Sequence, residues 1–181
     1  MDTRERLISS ATTLLTEEGV DAVTLRGIAK ATGVSHGAPL RHFAGRAQLL
    51  SAVASNGYEA LRHRFDDLLP GPPRERLLSA CRSYVEFSRD TPSMFALMFR
   101  HDLLDHEDPV LARLTTETFD SFSELVAAAQ HEGWRVDTDV KALTAALWSA
   151  LYGVAELGLW GGTGSASLIE TLETTLEAFF G

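Results

Sequence analysis

The chain has 181 residues, of which 45% are hydrophobic, a size and composition typical of one sizeable globular core or of a small domain joined to a larger one. It contains no run of 18 or more apolar residues, and its start, MDTRERLISS, is charged where a secretory signal would be apolar, so we expect a cytoplasmic protein without a membrane partner. The net charge of −9 argues by itself against a nucleic-acid partner, and the single cysteine, Cys81, excludes an internal disulfide.

The first predicted element is a helix over Thr3–Glu18. Its apolar residues recur three and four positions apart, as one buried face of a helix requires. Asp2 and Glu5 stand where an N-cap residue and its capping-box partner belong, and Gly19 is a natural C-terminal stop. Local signals therefore set both ends of this helix.

A second, shorter helix is predicted over LRGIAKAT, Leu25–Thr32, with Thr24 as its cap and Gly33 as its end. Ser35 is then the expected cap of a third short helix that reaches Phe43. Two short helices joined by TGVS match a helix-turn-helix, whose second helix enters the major groove of DNA.

The rest of the chain is also predicted to be helical. A long amphipathic segment follows AGR and ends at PGPP, residues 70–73, because proline cannot continue a helix. No stretch shows a sustained period of two, so we expect no strands and assign the chain to the all-α class. The later helices are predicted at Arg74–Arg89, Ser93–Arg100, Pro109–Glu132, Asp137–Leu159 and Ser165–Phe180.

The N-terminal third carries a basic segment that the net charge hides. Between Ala22 and Tyr58 the sequence has no aspartate or glutamate. Residues 1–58 hold six Lys or Arg and five Asp or Glu, whereas residues 59–181 hold ten and twenty. Since phosphate contacts depend on Lys and Arg, the helix-turn-helix region is the part of the chain suited to nucleic acid. The basic residues of this segment are Arg26, Lys30, Arg41 and Arg46.

Residues 4–50 resemble the N-terminal domain of the TetR family of transcriptional regulators. The match rests on landmarks that fall in the register of the family, and not on the short sequence GVS alone. The resemblance implies a DNA-binding helix-turn-helix domain over residues 1–47, a ligand-binding and dimerising helical bundle over residues 48–181, and no enzymatic activity. The landmarks are Ala11, Gly19, Thr24, Ile28, Ala29, Gly33, Val34, Ser35, His42, Phe43, Leu49 and Leu50.

The same resemblance implies DNA contacts for individual residues. Thr24 would cap the second helix at a phosphate, and Arg46 stands where the family usually has a phosphate-binding lysine. Two residues depart from the family pattern: Leu40 replaces a tyrosine that commonly contacts phosphate, and Pro39 lacks the N–H that a helical bond back to Ser35 needs. The expected DNA-binding residues are Thr24, Arg26, Ser35, His36, Gly37, Ala38, Arg41, His42 and Arg46.

Two apolar groups are candidates for an effector site in the larger domain. The segment MFALMF, residues 94–99, combines flexible methionines with aromatic rings that suit an adaptable pocket, although ordinary core packing explains them equally well. The segment LWSALYGVAELGLW resembles the Trp-His-Gly signature of one TetR subgroup, with Tyr152 in place of the histidine. The expected ligand-binding residues are Met94, Phe95, Met98, Phe99, Trp148 and Tyr152.

The cluster RHDLLDHEDP, residues 100–109, has histidines and carboxylates of the types that bind metals. Such a run beside a proline is also typical of an exposed loop, which is our interpretation. We expect neither a metal nor another cofactor. No nucleophile elbow or phosphate-binding glycine loop occurs in the sequence, so we also expect no enzymatic activity.

We therefore predict a homodimeric repressor that binds double-stranded DNA at a palindromic operator and is released by a small, apolar effector. In the family the last two helices form the dimer interface, and a two-fold dimer requires a palindrome. One alternative is a helical small-molecule-binding protein without DNA function, which Pro39 and Leu40 favour. Another is an enzyme that uses the titratable groups between His101 and Asp108.

Overall fold

The computed structural model describes residues 2–162, 164 and 166–181. Within these residues the chain forms eight α-helices and two short 3-10 helices and has no β-strand, which confirms the predicted all-α class. The α-helices are α1 (Thr3–Glu18), α2 (Leu25–Thr32), α3 (Arg46–Asp66), α4 (Pro73–Asp90), α5 (Pro92–Met98), α6 (Pro109–His131), α7 (Val140–Trp160) and α8 (Leu168–Phe180). The 3-10 helices are Val20–Ala22 and Pro39–Arg41.

Helices α1 and α2 begin and end at the predicted residues. The N–H of Glu5 donates to Asp2 Oδ1 and the N–H of Asp2 donates to Glu5 Oε2, both at 2.8 Å, which completes the expected capping box. Helix α2 ends at Gly33, whose φ of 69° lies in the left-handed region that favours glycine. Both predictions are confirmed because the signals that fix these ends are local.

The last two helices begin later than predicted. The expected start at Asp137 precedes α7, whose N-cap is Asp139. The expected start at Ser165 lies outside the described residues, and α8 is capped by Ser167, which forms a capping box with Glu170. The apolar period locates a helix more securely than it locates the first residue of the helix.

The chain divides into two compact units. The first contains the residues up to Glu59 together with Ser93–Thr116, and the second contains Ala60–Pro92 together with Glu117–Gly181. The helix-turn-helix region lies within the first unit. The functional boundary after residue 47 stays a prediction.

In the first unit, α1 packs against α2. Phe43 is also buried, and the guanidinium of Arg4 lies over its ring, 5.4 Å from the centroid. The segment between α2 and α3 is thus anchored by α2 at one end and by Phe43 at the other. The buried residues of α1 and α2 are Leu7, Ile8, Ala11, Leu15, Ile28 and Ala29.

Gly27 lies where α2 passes close to the turn that precedes it. A Cβ atom at Gly27 would lie 2.8 Å from the backbone oxygen of Ala22 and 3.1 Å from Thr24 Oγ1. We expect Gly27→Ala to lower the free energy of unfolding by about 1–3 kcal/mol, because the backbone must move to admit the methyl group. Urea unfolding followed by circular dichroism measures this change.

Gly45→Ala is the control, since a Cβ atom at Gly45 would meet no atom within 4 Å. We expect the stability of this variant to stay within about 0.5 kcal/mol of the wild type, because alanine restricts the unfolded chain but is a poorer N-cap residue for α3 than glycine. Helix propensity alone predicts the opposite sign at Gly27, since alanine is the better helix former. A Gly27→Ala protein as stable as the wild type would rule out the close approach.

In the second unit, α7 packs against α4 and α8. A Cβ atom at Gly158 of α7 would overlap Leu168 Cδ1 of α8, so these two helices approach closely. Cys81 of α4 is completely buried, and burial raises the pKa of its thiol well above the ordinary value. Cys81 is therefore an apolar core residue that does not form a reactive thiolate.

Helix α7 is long and apolar enough to cross a membrane by length and composition alone. Its most apolar 18-residue window has a mean hydropathy of 1.3, and 33% of that window is buried. Since the core helix of a water-soluble protein passes the same test, this one helix is weak evidence for a membrane span.

Candidate nucleic-acid interface and effector site

The segment after α2 does not form the predicted third α-helix. A turn is followed by the 3-10 helix Pro39–Arg41, whose cap is Ala38 without a side-chain hydrogen bond, so the predicted cap at Ser35 is wrong. Because Pro39 has no N–H, the N–H of Ala38 donates to the Ser35 oxygen instead, at 2.9 Å. The proline thus replaces a regular helical turn with a shorter one.

We call residues 35–42 the reading turn. Most of its side chains are exposed. The exception is Pro39, whose side chain is buried and points toward the protein interior. Leu40, next to it, is 61% exposed. Of the expected DNA-binding residues in this turn, Ala38 is half-buried and the others are exposed: Ser35, His36, Gly37, Arg41 and His42.

The first turn of α2 supplies two more expected DNA contacts. Thr24 Oγ1 accepts a hydrogen bond from the N–H of Gly27 at 2.9 Å, as an N-cap does. Arg26 is exposed in the same turn. A helix N-terminus with an adjacent arginine suits an anion such as a DNA phosphate.

Arg46, the first residue of α3, holds the 3-10 helix that precedes α2. Its Nε donates to the Val23 oxygen at 2.8 Å and its Nη2 donates to the Val20 oxygen at 2.6 Å. The carboxylate of Asp21 lies 3.8 Å from the same Nη2. No pattern in the sequence indicates this structural role, because the partners lie more than 20 positions away; the phosphate contact of Arg46 stays a prediction.

We expect Arg46→Ala to lower the free energy of unfolding by about 1–2 kcal/mol, since two charge-assisted hydrogen bonds to carbonyl oxygens are lost. We expect Arg46→Lys to be destabilised nearly as much, because one ammonium group cannot span both oxygens. Thermal unfolding at moderate salt measures both variants. Full stability of the lysine variant would show that only the charge of Arg46 matters.

The first group of expected effector residues lies on α5 or directly after it, in the first unit. Phe95 and Met98 are buried, and the rings of Phe95 and Phe99 have centroids 5.0 Å apart. A Cβ atom at Gly57 of α3 would lie 2.7 Å from Met98 Sδ and 2.9 Å from Met94 Sδ. The two thioethers therefore fill the space that the missing side chain of Gly57 leaves.

A cavity of about 200 Å³ lies beside Met98 in the first unit. Its polar wall includes Tyr58, whose hydroxyl donates to the Met98 oxygen at 2.9 Å. The rings of His101 and His106 also line it and are stacked, with centroids 6.0 Å apart. Sequence reasoning missed this cavity, because nothing in the sequence joins Tyr58 to a loop more than 40 positions later. The apolar lining residues are Met98, Leu104, Leu111 and Ala112.

The second group of expected effector residues lies on α7, in the second unit. The indole of Trp148 is half-buried among four other rings, at centroid distances of 4.9 to 6.5 Å. Tyr152 is half-buried one turn later, and burial, with a smaller effect from Glu156, raises the pKa of its phenol. Trp148 thus packs in an aromatic cluster, and ligand contact by either residue stays a prediction. The other rings of the cluster belong to Phe65, Tyr84, Phe119 and Phe122.

In the part of the chain that the structure describes, no group of three or more His, Cys, Asp or Glu side chains is placed to hold a metal ion. The acidic loop between α5 and α6 forms polar contacts of its own. Arg100 Nε donates to Asp102 Oδ1 at 2.8 Å, and this contact holds the pKa of the Asp102 carboxyl below its usual range. The N–H of Asp105 donates to Ser51 Oγ at 2.8 Å, which attaches the loop to α3.

Two family models match the sequence. Residues 77–179 match the model described as "Tetracyclin repressor-like, C-terminal domain", and residues 7–53 match the model described as "Bacterial regulatory proteins, tetR family". A comparison with curated proteins found no match.

Solved structures resemble the chain over nearly its whole length. A protein of unknown function from Rhodococcus sp. RHA1 is 25% identical, with a TM-score of 0.87, and the match covers 99% of this chain and 94% of that one. The TetR family transcriptional regulator PfmR from Thermus thermophilus is 19% identical, with a TM-score of 0.72 and 97% of both chains covered. The ketosteroid transcriptional regulator KstR2 of Mycobacterium tuberculosis is 18% identical, with a TM-score of 0.67 and coverage of 99% and 93%. The last two likenesses concern the fold alone.

Proposed function

The chain belongs to the TetR family of DNA-binding transcriptional regulators, and we propose that it is a homodimeric repressor which a small apolar molecule releases from a palindromic operator. In this proposal residues 1–47 bind double-stranded DNA, and residues 48–181 bind the effector and form the dimer. The protein acts in the cytoplasm and catalyses no reaction.

The reading turn is the observation that carries the proposal. It is exposed, and it lies in a segment without aspartate or glutamate, in a protein whose net charge is −9. Arg41 and His42 offer donors to base edges or phosphates, while the N-terminus of α2 and Arg26 suit a neighbouring phosphate. An acidic protein that has no acid in this exposed segment is suited to a polyanionic partner there.

A gel-shift assay on the DNA flanking the gene of this protein tests the proposal. We expect the dimer to retard one segment at moderate salt, and we expect scrambling either half of its palindrome to abolish the retardation. Absence of specific, palindrome-dependent retardation would count against the proposal. It would favour the alternative of a helical small-molecule-binding protein without DNA function.

The effector site that we propose is the cavity beside Met98. An apolar wall with a few polar groups is typical of small-molecule sites, and a volume of about 200 Å³ favours a small ligand. Trp148 and Tyr152 stay predicted contacts on α7. The effector weakens DNA binding because it binds more tightly to a conformation in which the separation of the two reading turns does not fit the operator.

The dimer interface that we propose involves α7 and α8. Trp160 of α7 is 78% exposed and Ile169 of α8 is 59% exposed, so both helices present large apolar side chains that a second copy would bury. We expect Ile169→Glu to convert the dimer to monomer, because the carboxylate would be buried without a partner. Sedimentation velocity measures the conversion.

Leu69→Glu is the matched control, since Leu69 is 84% exposed outside both helices. We expect this variant to remain dimeric with unchanged thermal stability. A dimer that survives Ile169→Glu at micromolar concentration would place the interface elsewhere.

A further inference from the structure

Leu40 is an exposed apolar side chain in the reading turn, between the buried Pro39 and the exposed Arg41. Among the described residues of the matched segment 7–53, it is the only large apolar residue that is exposed, at 61%. Its neighbour Pro39 is buried, and this burial orients the 3-10 helix so that the side chain of Leu40 points to solvent. Leu40 therefore contributes little to the core and is placed to contact a partner.

The charge around Leu40 indicates what that partner is. Arg41 and His42 follow it and are exposed, and no acid occurs between Ala22 and Tyr58. A leucine has no hydrogen-bond donor for a phosphate, so it cannot replace the phosphate contact of a tyrosine. In the major groove, the apolar group that a base edge presents is the 5-methyl group of thymine.

We propose that Leu40 contributes to sequence recognition by packing against a thymine methyl group in each half-site of the operator. This inference rests on the proposed function, which supplies the DNA. It assigns to the reading turn a base preference that depends on apolar contact, in addition to the polar contacts of Arg41 and His42. The preference requires thymine at one position of each half-site and is independent of charge.

Uracil in place of thymine tests this contact, because it removes the methyl group and leaves base pairing intact. The probe is a fluorescent duplex selected from random DNA by the full-length protein, with each thymine of one half-site replaced in turn. We expect one replacement to weaken wild-type binding about fourfold, the value of one buried methyl group. We expect Leu40→Ala to bind the thymine and uracil duplexes equally, and more weakly than the wild type binds thymine.

Leu69→Ala is the control, since it truncates an exposed leucine outside the reading turn, and it should keep the wild-type preference for thymine. Thermal unfolding should be the same for Leu40→Ala and the wild type, because Leu40 is mostly exposed. This inference alone is overturned if the wild type binds DNA and no uracil replacement weakens the binding. It is also overturned if Leu40→Ala keeps the preference for thymine over uracil. Failure of the wild type to bind any duplex overturns the proposed function and this inference together.

Discussion

Arg41→Ala is expected to weaken binding of the dimer to its operator by about tenfold or more. Arg41 is exposed in the reading turn, beside the buried Pro39 that orients the turn. Each arginine lost from a protein–DNA interface costs about 1–3 kcal/mol, and a symmetric dimer loses two. Fluorescence anisotropy over a series of salt concentrations measures the affinity and its salt dependence.

The salt series also separates two roles of Arg41. If the side chain contacts phosphate, the variant weakens binding on all sequences and the salt slope falls by about one per contact. If it contacts a base, the affinity falls most on the operator and the preference at one position is relaxed. Arg89→Ala, which removes an exposed arginine from α4, should change neither quantity. If Arg41→Ala binds the operator with unchanged affinity, the reading turn lies outside the DNA interface.

Trp148→Ala is expected to lower the free energy of unfolding by about 3 kcal/mol, the lower end of the range for truncating a large aromatic residue. The indole packs edge-on against Tyr84 at 4.9 Å and against Phe122 at 5.4 Å between ring centroids. Removing it leaves a cavity among rings that cannot close together. Urea denaturation followed by circular dichroism measures the loss.

Trp148→Phe is the conservative control, because it keeps an aromatic ring in the cluster and should recover more than half of the lost stability. An alanine variant at Trp148 as stable as the wild type would mean that the indole lines an open pocket. It would then favour an effector contact over core packing.

The sequence predicted well those elements whose ends are fixed by nearby residues. Helix α1 has its capping box at Asp2 and Glu5, and α2 has a threonine cap and a left-handed glycine, and both helices have the expected bounds. In each case the bond that sets the boundary joins residues within five positions, so a pattern in the sequence contains all the partners. The all-α class follows for the same reason from the apolar period.

The reading turn and the cavity depend on information that the sequence does not display. Ser35 has the residue type of a cap, but Pro39 removes the N–H that a helix from Ser35 would use, and the short-range bond from Ala38 replaces it. The cavity brings Tyr58 of α3 to the loop after α5, and only the packing of the first unit creates that proximity. Tertiary packing, and not residue type, decides which polar groups of that loop meet.

Selection of bound sequences from random DNA by the full-length protein tests the DNA-binding function most directly. We expect enrichment of one palindrome, with half-sites about one helical turn or a multiple of it apart, as a two-fold dimer requires. The same selection with the Ile169→Glu monomer should yield no full palindrome. Enrichment of no sequence by the wild-type dimer at moderate salt would contradict a role in transcriptional regulation.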